Sequence, residues 1–135
     1  MEIHRILVPV KNLIPQTIRT IRFAQIFAEA NGATITLLHV SDRKTNTQKI
    51  IALEEQLKHI LQTQIKPQIE ITTQFIRDDN VATAIVKTAE NYDMVVLRSM
   101  RRRTAGGLAV SDISDRVVKA LKCSIVLFGE PHLNS

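Results

Sequence analysis

Tryptophan is missing from this sequence, tyrosine occurs once, and aromatic residues together make up 4% of it. Proteins that hold single-stranded nucleic acid use aromatic side chains as stacking platforms. None interleaves with the basic cluster of this chain, so no nucleic-acid partner is expected. The single cysteine, Cys123, rules out an internal disulfide and suits a reducing compartment. No apolar run approaches the roughly 20 residues of a membrane span, and the N-terminus carries no signal-peptide core. The net charge is +5, from 18 basic and 13 acidic residues. It is spread along the chain except at Arg98–Arg103, where four arginines fall within six positions. A length of 135 residues is that of one domain with one sizeable core. The expectation is a single domain over 1–135, cytoplasmic or on the cytosolic side of a membrane protein.

What the sequence does have is a regular alternation. Apolar runs of strand length recur at Ile3–Val10, Thr34–Val40, Ile69–Ile76, Met94–Leu97 and Ile125–Phe128. Four of the five are nearly continuous, as strands covered on both faces are. The third alternates (Ile69, Ile71, Thr73, Phe75), which predicts an edge strand with a wetter face. Helical periods separate the runs. Ile18, Ile21, Ala24 and Ala28 share a face before an Asn31-Gly32 stop signal. Ile50, Leu53, Leu57, Ile60 and Leu61 form a second stripe ahead of Pro67. Ala82, Ile85 and Ala89 make a third, and Ile113, Val117 and Leu121 a fourth. The order βαβαβαβαβ predicts an α/β protein, a three-layer α/β/α sandwich around a five-stranded parallel sheet of order 3-2-1-4-5.

In such a sheet a ligand sits beyond the carboxyl ends of the strands, where the strand order reverses. That places a candidate pocket between the ends of the first and fourth strands. Its candidate residues are Val10, Lys11, Val40, Arg98, Ser99, Arg101, Ser111 and Asp112. The last helix opens in Ser111-Asp112-Ile113-Ser114-Asp115. A helix N-terminus attracts anions through its free N–H groups, but here Ser111 or Asp112 can cap those donors and Asp115 brings a negative charge.

Several pieces, taken in order, resemble the universal stress protein family over almost the whole chain. They are Ile6-Leu7-Val8-Pro9-Val10, Gly32-Ala33 followed by Leu37-Leu38-His39-Val40, Tyr92-Asp93-Met94-Val95-Val96, Ser114-Asp115-Arg116-Val117 and Cys123-Ser124-Ile125-Val126-Leu127. The resemblance implies the adenine nucleotide alpha hydrolase-like fold and, often, a homodimer formed through the last strand, here 124–129. It also implies a stress-response or transport-regulation setting, since related domains extend membrane transporters, cation/proton antiporters and chloride channels among them. The polar tail Glu130–Ser135 would suit a domain closing a longer chain.

Nucleotide-binding members of that family carry an Asp after the first strand and a G-x2-G-x9-G-[ST] motif running into the last helix. Lys11 stands at the Asp position, Arg98, Arg101 and Ser111 at the glycines, and Asp112 at the hydroxyl residue. The glycines allow close backbone approach to phosphate oxygens. Arginine side chains would fill that space. Asp112 would face a triphosphate with like charge, a repulsion of about 4 kcal/mol at 4 Å and an effective dielectric of 20. ATP binding in the family's usual mode is therefore not expected, and no cofactor is assigned. Lys11 and Arg98 either form a site for a smaller anion or another nucleotide, or pair with Asp112 or Asp115 and fill the old pocket.

The arginine run itself reads as a solvated loop paired with nearby carboxylates, or as a contact for an anionic surface or another domain. Gly106-Gly107 reads as loop flexibility. Catalysis finds no support. His39 reads as structural, while His4, His59 and His132 lack metal-ligand spacing. Cys123 reads as a small buried hydrophobe, and Asp79 or Asn80 as the cap of the third helix. The reading is a regulatory or interaction module rather than an enzyme, linked to an ion transporter. The alternative is an anion or nucleotide sensor at the basic pocket.

Overall fold

The computed structural model describes residues 2–98, 102–104, 107–109 and 112–128, with side chains at all of these except 102–104, 107–109 and 112–115. The strands of the main sheet are β1 (Arg5–Pro9), β2 (Thr34–Ser41), β3 (Ile71–Arg77), β4 (Met94–Arg98) and β7 (Ser124–Phe128). They pair in parallel in the order β3-β2-β1-β4-β7. Helices α1 (Pro15–Asn31), α2 (Thr47–Ile60), α3 (Val81–Ala89) and α4 (Asp112–Ala120) connect them. This is the expected order, with the expected edge strand. Along β3, Thr72, Gln74 and Arg77 are exposed while Ile71, Thr73 and Phe75 are half-buried.

Two differences from the sequence reading concern the strand following β4. Arg102–Thr104 (β5) and Gly107–Ala109 (β6) pair antiparallel in a separate two-stranded sheet, where simple loop was expected. Gly107 is therefore the first residue of a strand, opposite Thr104, not free loop. Three-residue strands rich in arginine and glycine carry too little apolar alternation to announce themselves.

The sheet's alternation builds two cores. Ile6 and Val8 of β1 join Ile21, Ala24 and Ala28 of α1 and Leu57 and Ile60 of α2 on one face. Leu7, between them, joins Ala82, Ile85 and Ala89 of α3 and Val117 of α4 on the other. Period-two residues on a strand thus meet period-3.6 stripes on the helices. Each of the four predicted stripes contributes to these cores, though Ile50 and Leu53 are in neither and the Ile113 side chain lies outside the described residues.

Helix ends are fixed locally. Pro15 opens α1, where its missing N–H costs nothing. Gly32 closes it at φ +66°, a conformation a side chain would strain. Asn46 and Asn80 cap α2 and α3, accepting from the amides of Gln48 and Thr83 at 2.8 and 3.0 Å. The end of α2 widens into a π-turn over Leu61–Ile65, closed by the Lys66 amide donating to the Leu61 carbonyl at 2.8 Å. Arg22 and Gln25 of α1 donate to the Gln64 and Ile65 carbonyls that this leaves.

Opposite the expected ligand face, Asp93 ties the start of β1 to β4. One carboxylate oxygen accepts the amides of His4 and Arg5, both at 2.9 Å, and these bonds hold its pKa below the usual carboxylate range. The Arg5 guanidinium lies over the Tyr92 ring at 4.5 Å, and the Tyr92 hydroxyl donates to Thr36 at 2.9 Å.

Candidate functional site

The sheet opens where its strand order reverses. β1 pairs with β2 along its whole length, from Arg5–Thr34 to Pro9–Leu38, and the Val10 amide adds a bond to the Leu38 carbonyl at 2.7 Å. Between β1 and β4, the described residues pair only at Ile6–Met94 and Leu7–Val95. Successive residues of a strand address alternate neighbours. His4 and Val10 bond toward β2, whereas the Arg5 carbonyl accepts from Asp93 on the β4 side. By that alternation Pro9 faces β4, and proline has no N–H to donate. The ladder stops there, while β4 and β7 stay paired out to Arg98–Phe128. A crevice results at the carboxyl ends of β1 and β4, where ligands bind in open parallel sheets.

Val10 lies at this crevice, 4% exposed, and its carbonyl accepts from His39 Nδ1 at 2.8 Å. Because a carbonyl only accepts, Nδ1 must carry the proton. The His39 ring also lies against Phe75, centroids 5.8 Å apart. His39 thus has the structural role read from the sequence. Val40, half-buried, sits beside it opposite Ile76 of β3. Lys11 is exposed just past the end of β1, and Arg98 is the half-buried last residue of β4. The backbone therefore brings Val10, Lys11, Val40 and Arg98 to one end of the sheet. Ser99, Arg101 and Ser111 lie outside the described residues. Asp112 is the first residue of α4, but its side chain, like that of Asp115, is also outside them. Pro9 is the site residue whose role the sequence reading missed. Part of its signal was available, since a proline inside a strand removes a ladder bond, but the neighbour that loses the bond follows only from strand order and register.

The neighbouring loops are braced by their own polar groups. Arg77 donates to the Thr45 carbonyl at 2.8 Å and to the Thr47 hydroxyl at 2.9 Å. Asp79 accepts the Arg43 amide at 2.9 Å. Asp42 accepts the Thr45 hydroxyl at 2.8 Å, which holds its carboxyl below the usual range. The acids here are engaged by the chain, and Asn80 rather than Asp79 caps α3. Among the described residues no three His, Cys, Asp or Glu side chains cluster to hold a metal. Cys123 is half-buried, and burial pushes its thiol pKa up, away from a reactive thiolate. A groove of about 400 Å³ runs between α3 and α4, lined by Thr83, Lys87 and Arg116 among others; of the described candidate pocket residues, Val10, Lys11, Val40 and Arg98, none lines it.

Comparison with known proteins gives one consistent answer. The model of the universal stress protein family matches residues 2–129. The Na(+)/H(+) antiporter NhaS5 of Synechocystis sp. is 40% identical over 129 residues, covering 96% of this chain. The chain spans only 18% of that antiporter's length. A universal stress protein structure from Archaeoglobus fulgidus superposes with a TM-score of 0.77 at 19% identity, covering 94% of each chain. Another from the same organism, in complex with dAMP, gives 0.72 at 19% identity, covering 94% of this chain and 98% of its own. At such identities the structural likeness speaks for the fold. Among the described residues, no helix is long and apolar enough to cross a membrane.

Proposed function

Since this chain belongs to the universal stress protein family, we propose that it is a regulatory module of that family which does not bind ATP in the usual mode. It forms one domain over 1–135, on the cytosolic side of a cation/proton antiporter, and it modulates that transporter rather than catalysing a reaction. The observation that carries the reading is Arg98. It closes β4 at the crevice, at the position where the family's nucleotide motif has its first glycine. A side chain there occupies room that phosphate oxygens need, and Lys11 replaces the acidic residue across the crevice. Identity of 40% to an antiporter supports the transporter link. Self-association through β7 belongs to the same proposal, because that strand is the last of the described sheet and Leu127 on it is 44% exposed.

A second reading is supported by the crevice itself. Pro9 keeps it open, and Lys11 and Arg98 stand at its two sides, so a smaller anion or a nucleotide held differently could dock there. A relative of this fold has been seen with dAMP. Isothermal titration separates the readings. With Mg-ATP, AMP and inorganic phosphate all silent at millimolar concentration, the first stands. Micromolar ATP affinity rejects it, and saturable AMP or phosphate binding that Arg98→Ala removes favours the second.

A further inference from the structure

The β3 strand is paired on one side, to β2. The Ile35 amide donates to the Glu70 carbonyl, and the Asp78 amide to the Ser41 carbonyl. With Ile35 in register with Ile71 and Ser41 with Arg77, these bonds make Thr72, Gln74 and Ile76 the residues whose backbone faces β2. Ile71, Thr73, Phe75 and Arg77 therefore turn their N–H and carbonyl groups the other way, where the described residues offer them no partner. Such an edge is ordinarily blunted by a proline, a lysine, a bulge, an inward-pointing charge or shortness. β3 uses none of these. It is seven residues long, ITTQFIR, and runs in unbroken register with β2. Its one charge is the terminal Arg77, whose guanidinium is folded back onto the Thr45 carbonyl and the Thr47 hydroxyl.

We propose that this edge is a contact for a second copy of the chain, β3 against β3, antiparallel about a two-fold axis at Thr73. The strand is complementary to itself in that register. Thr73 meets Thr73 of the second copy, and Ile71 meets its Phe75, so the outward N–H and carbonyl groups of these residues find each other. Thr–Thr and aromatic–β-branched pairs are the cross-strand pairs that stabilise an antiparallel ladder. On the other face Thr72 lies opposite Gln74. Glu70 falls opposite Ile76 and Asp78 opposite Gln68, so no like charges are set against each other. An unrelated extended segment would meet the same backbone groups without this matched order of side chains, and the uncharged run Ile71–Ile76 offers nothing to select a charged one. An isologous contact of this kind closes as a pair. One edge strand falls below the roughly 1,000 Å² of a stable interface, so the pair forms only toward about 1 mM. It is a different edge from β7, and copies joined at both would continue one sheet from chain to chain.

The test uses the 135-residue chain carrying Leu127→Lys, which removes the pairing proposed at β7. Sedimentation velocity is expected to show monomer at tens of micromolar and dimer toward about 1 mM. Adding Thr73→Pro should abolish that dimer and leave the thermal melt nearly unchanged, because the N–H it removes faces away from β2. Gln74→Pro, one residue along, removes a bond of the β2–β3 ladder and should lower the melt. Register is read independently by oxidative trapping in the same background, with the native Cys123 alone as the blank. The Cα atoms of a hydrogen-bonded antiparallel pair lie about 5.5 Å apart, within disulfide reach, whereas those more than about 7 Å apart are not. Thr73→Cys should therefore run as a covalent dimer, and Thr72→Cys and Gln74→Cys as monomers. A monomer at about 1 mM, a dimer unmoved by Thr73→Pro, equal trapping at the three positions, or growth past the dimer would each overturn the proposal. A parent chain that sediments identically to Leu127→Lys would reject the β7 pairing and leave the β3 contact standing, so loss of either idea is recognised separately.

Discussion

His39→Phe isolates one hydrogen bond at the crevice. The replacement keeps an aromatic ring against Phe75, a phenyl slightly larger than the imidazole, and removes the Nδ1–H that reaches the Val10 carbonyl at 2.8 Å. Val10 is 4% exposed, so water has little access to the abandoned oxygen. Leaving a buried acceptor without its donor costs about 1–3 kcal/mol. For a chain of 135 residues, an unfolding entropy of about 2.1 cal/mol/K per residue sums to about 0.28 kcal/mol/K. The melting temperature should therefore fall by about 4–11 °C. Differential scanning calorimetry reads this directly, and reversibility on a second scan is the condition for using it. His59→Phe, on the exposed face of α2, is the matched control and should change little. A drop of less than about 1 °C for His39→Phe would refute the reasoning, since the Val10 carbonyl would then have another donor waiting.

Two further outcomes follow from other parts of the molecule. Asp93→Asn should destabilise the fold at neutral pH, because the carboxylate accepts two backbone amides and its folded pKa is depressed. Its contribution is present above the unfolded value of about 3.9 and is lost as pH falls through the lower folded one, so urea melts of the two proteins should converge below about pH 4. A gap that persists in acid would place the effect elsewhere. Leu127→Lys puts a charge on the exposed face of the β7 edge at little cost to the single chain. Sedimentation equilibrium should show a dimer at tens of micromolar shifting to monomer, and a monomeric parent would reject self-association through this strand.

How much of this was legible depends on what each residue advertises. The continuous run Ile6-Leu7-Val8 reads as a strand buried on both sides, because it is rich in β-branched residues, of strand length and bounded by Pro9, where a buried helix would run longer. Ile21, Ala24 and Ala28 mark their helix face equally plainly. Element ends drifted instead. β1 starts at Arg5 rather than Ile3, and β3 at Ile71 rather than Ile69, since apolar residues continue past the last ladder bond. The π-turn after α2 was invisible, because Leu61 and Ile65 are four apart and satisfy an ordinary helical pattern while the Lys66 bond spans five. The short hairpin was lost among arginines. At the site, Lys11, Arg98 and Asp112, on which the proposed loss of ATP binding rests, could be read in the letters. The opening of the sheet could not, because it depends on which neighbour Pro9 faces, and that follows only once strand order and register are known.

The placement of β1 has a mechanical side. As the central strand it is held by ladders to β2 and β4, and its entry is clasped by Asp93. Tension drawn along the chain at His4 would therefore act in shear, loading many hydrogen bonds at once. β7 has one described ladder, to β4, and is the last strand of the described sheet. Under a pull shared between the two, the outer strand gives way first. The crevice beside Pro9, bounded by β1 and β4, keeps its walls after that loss, whereas any pairing through β7 does not. If two copies pair through β7 as proposed, load would separate them before it parted β1 from β4, which would make the outermost described strand the fuse of the sheet.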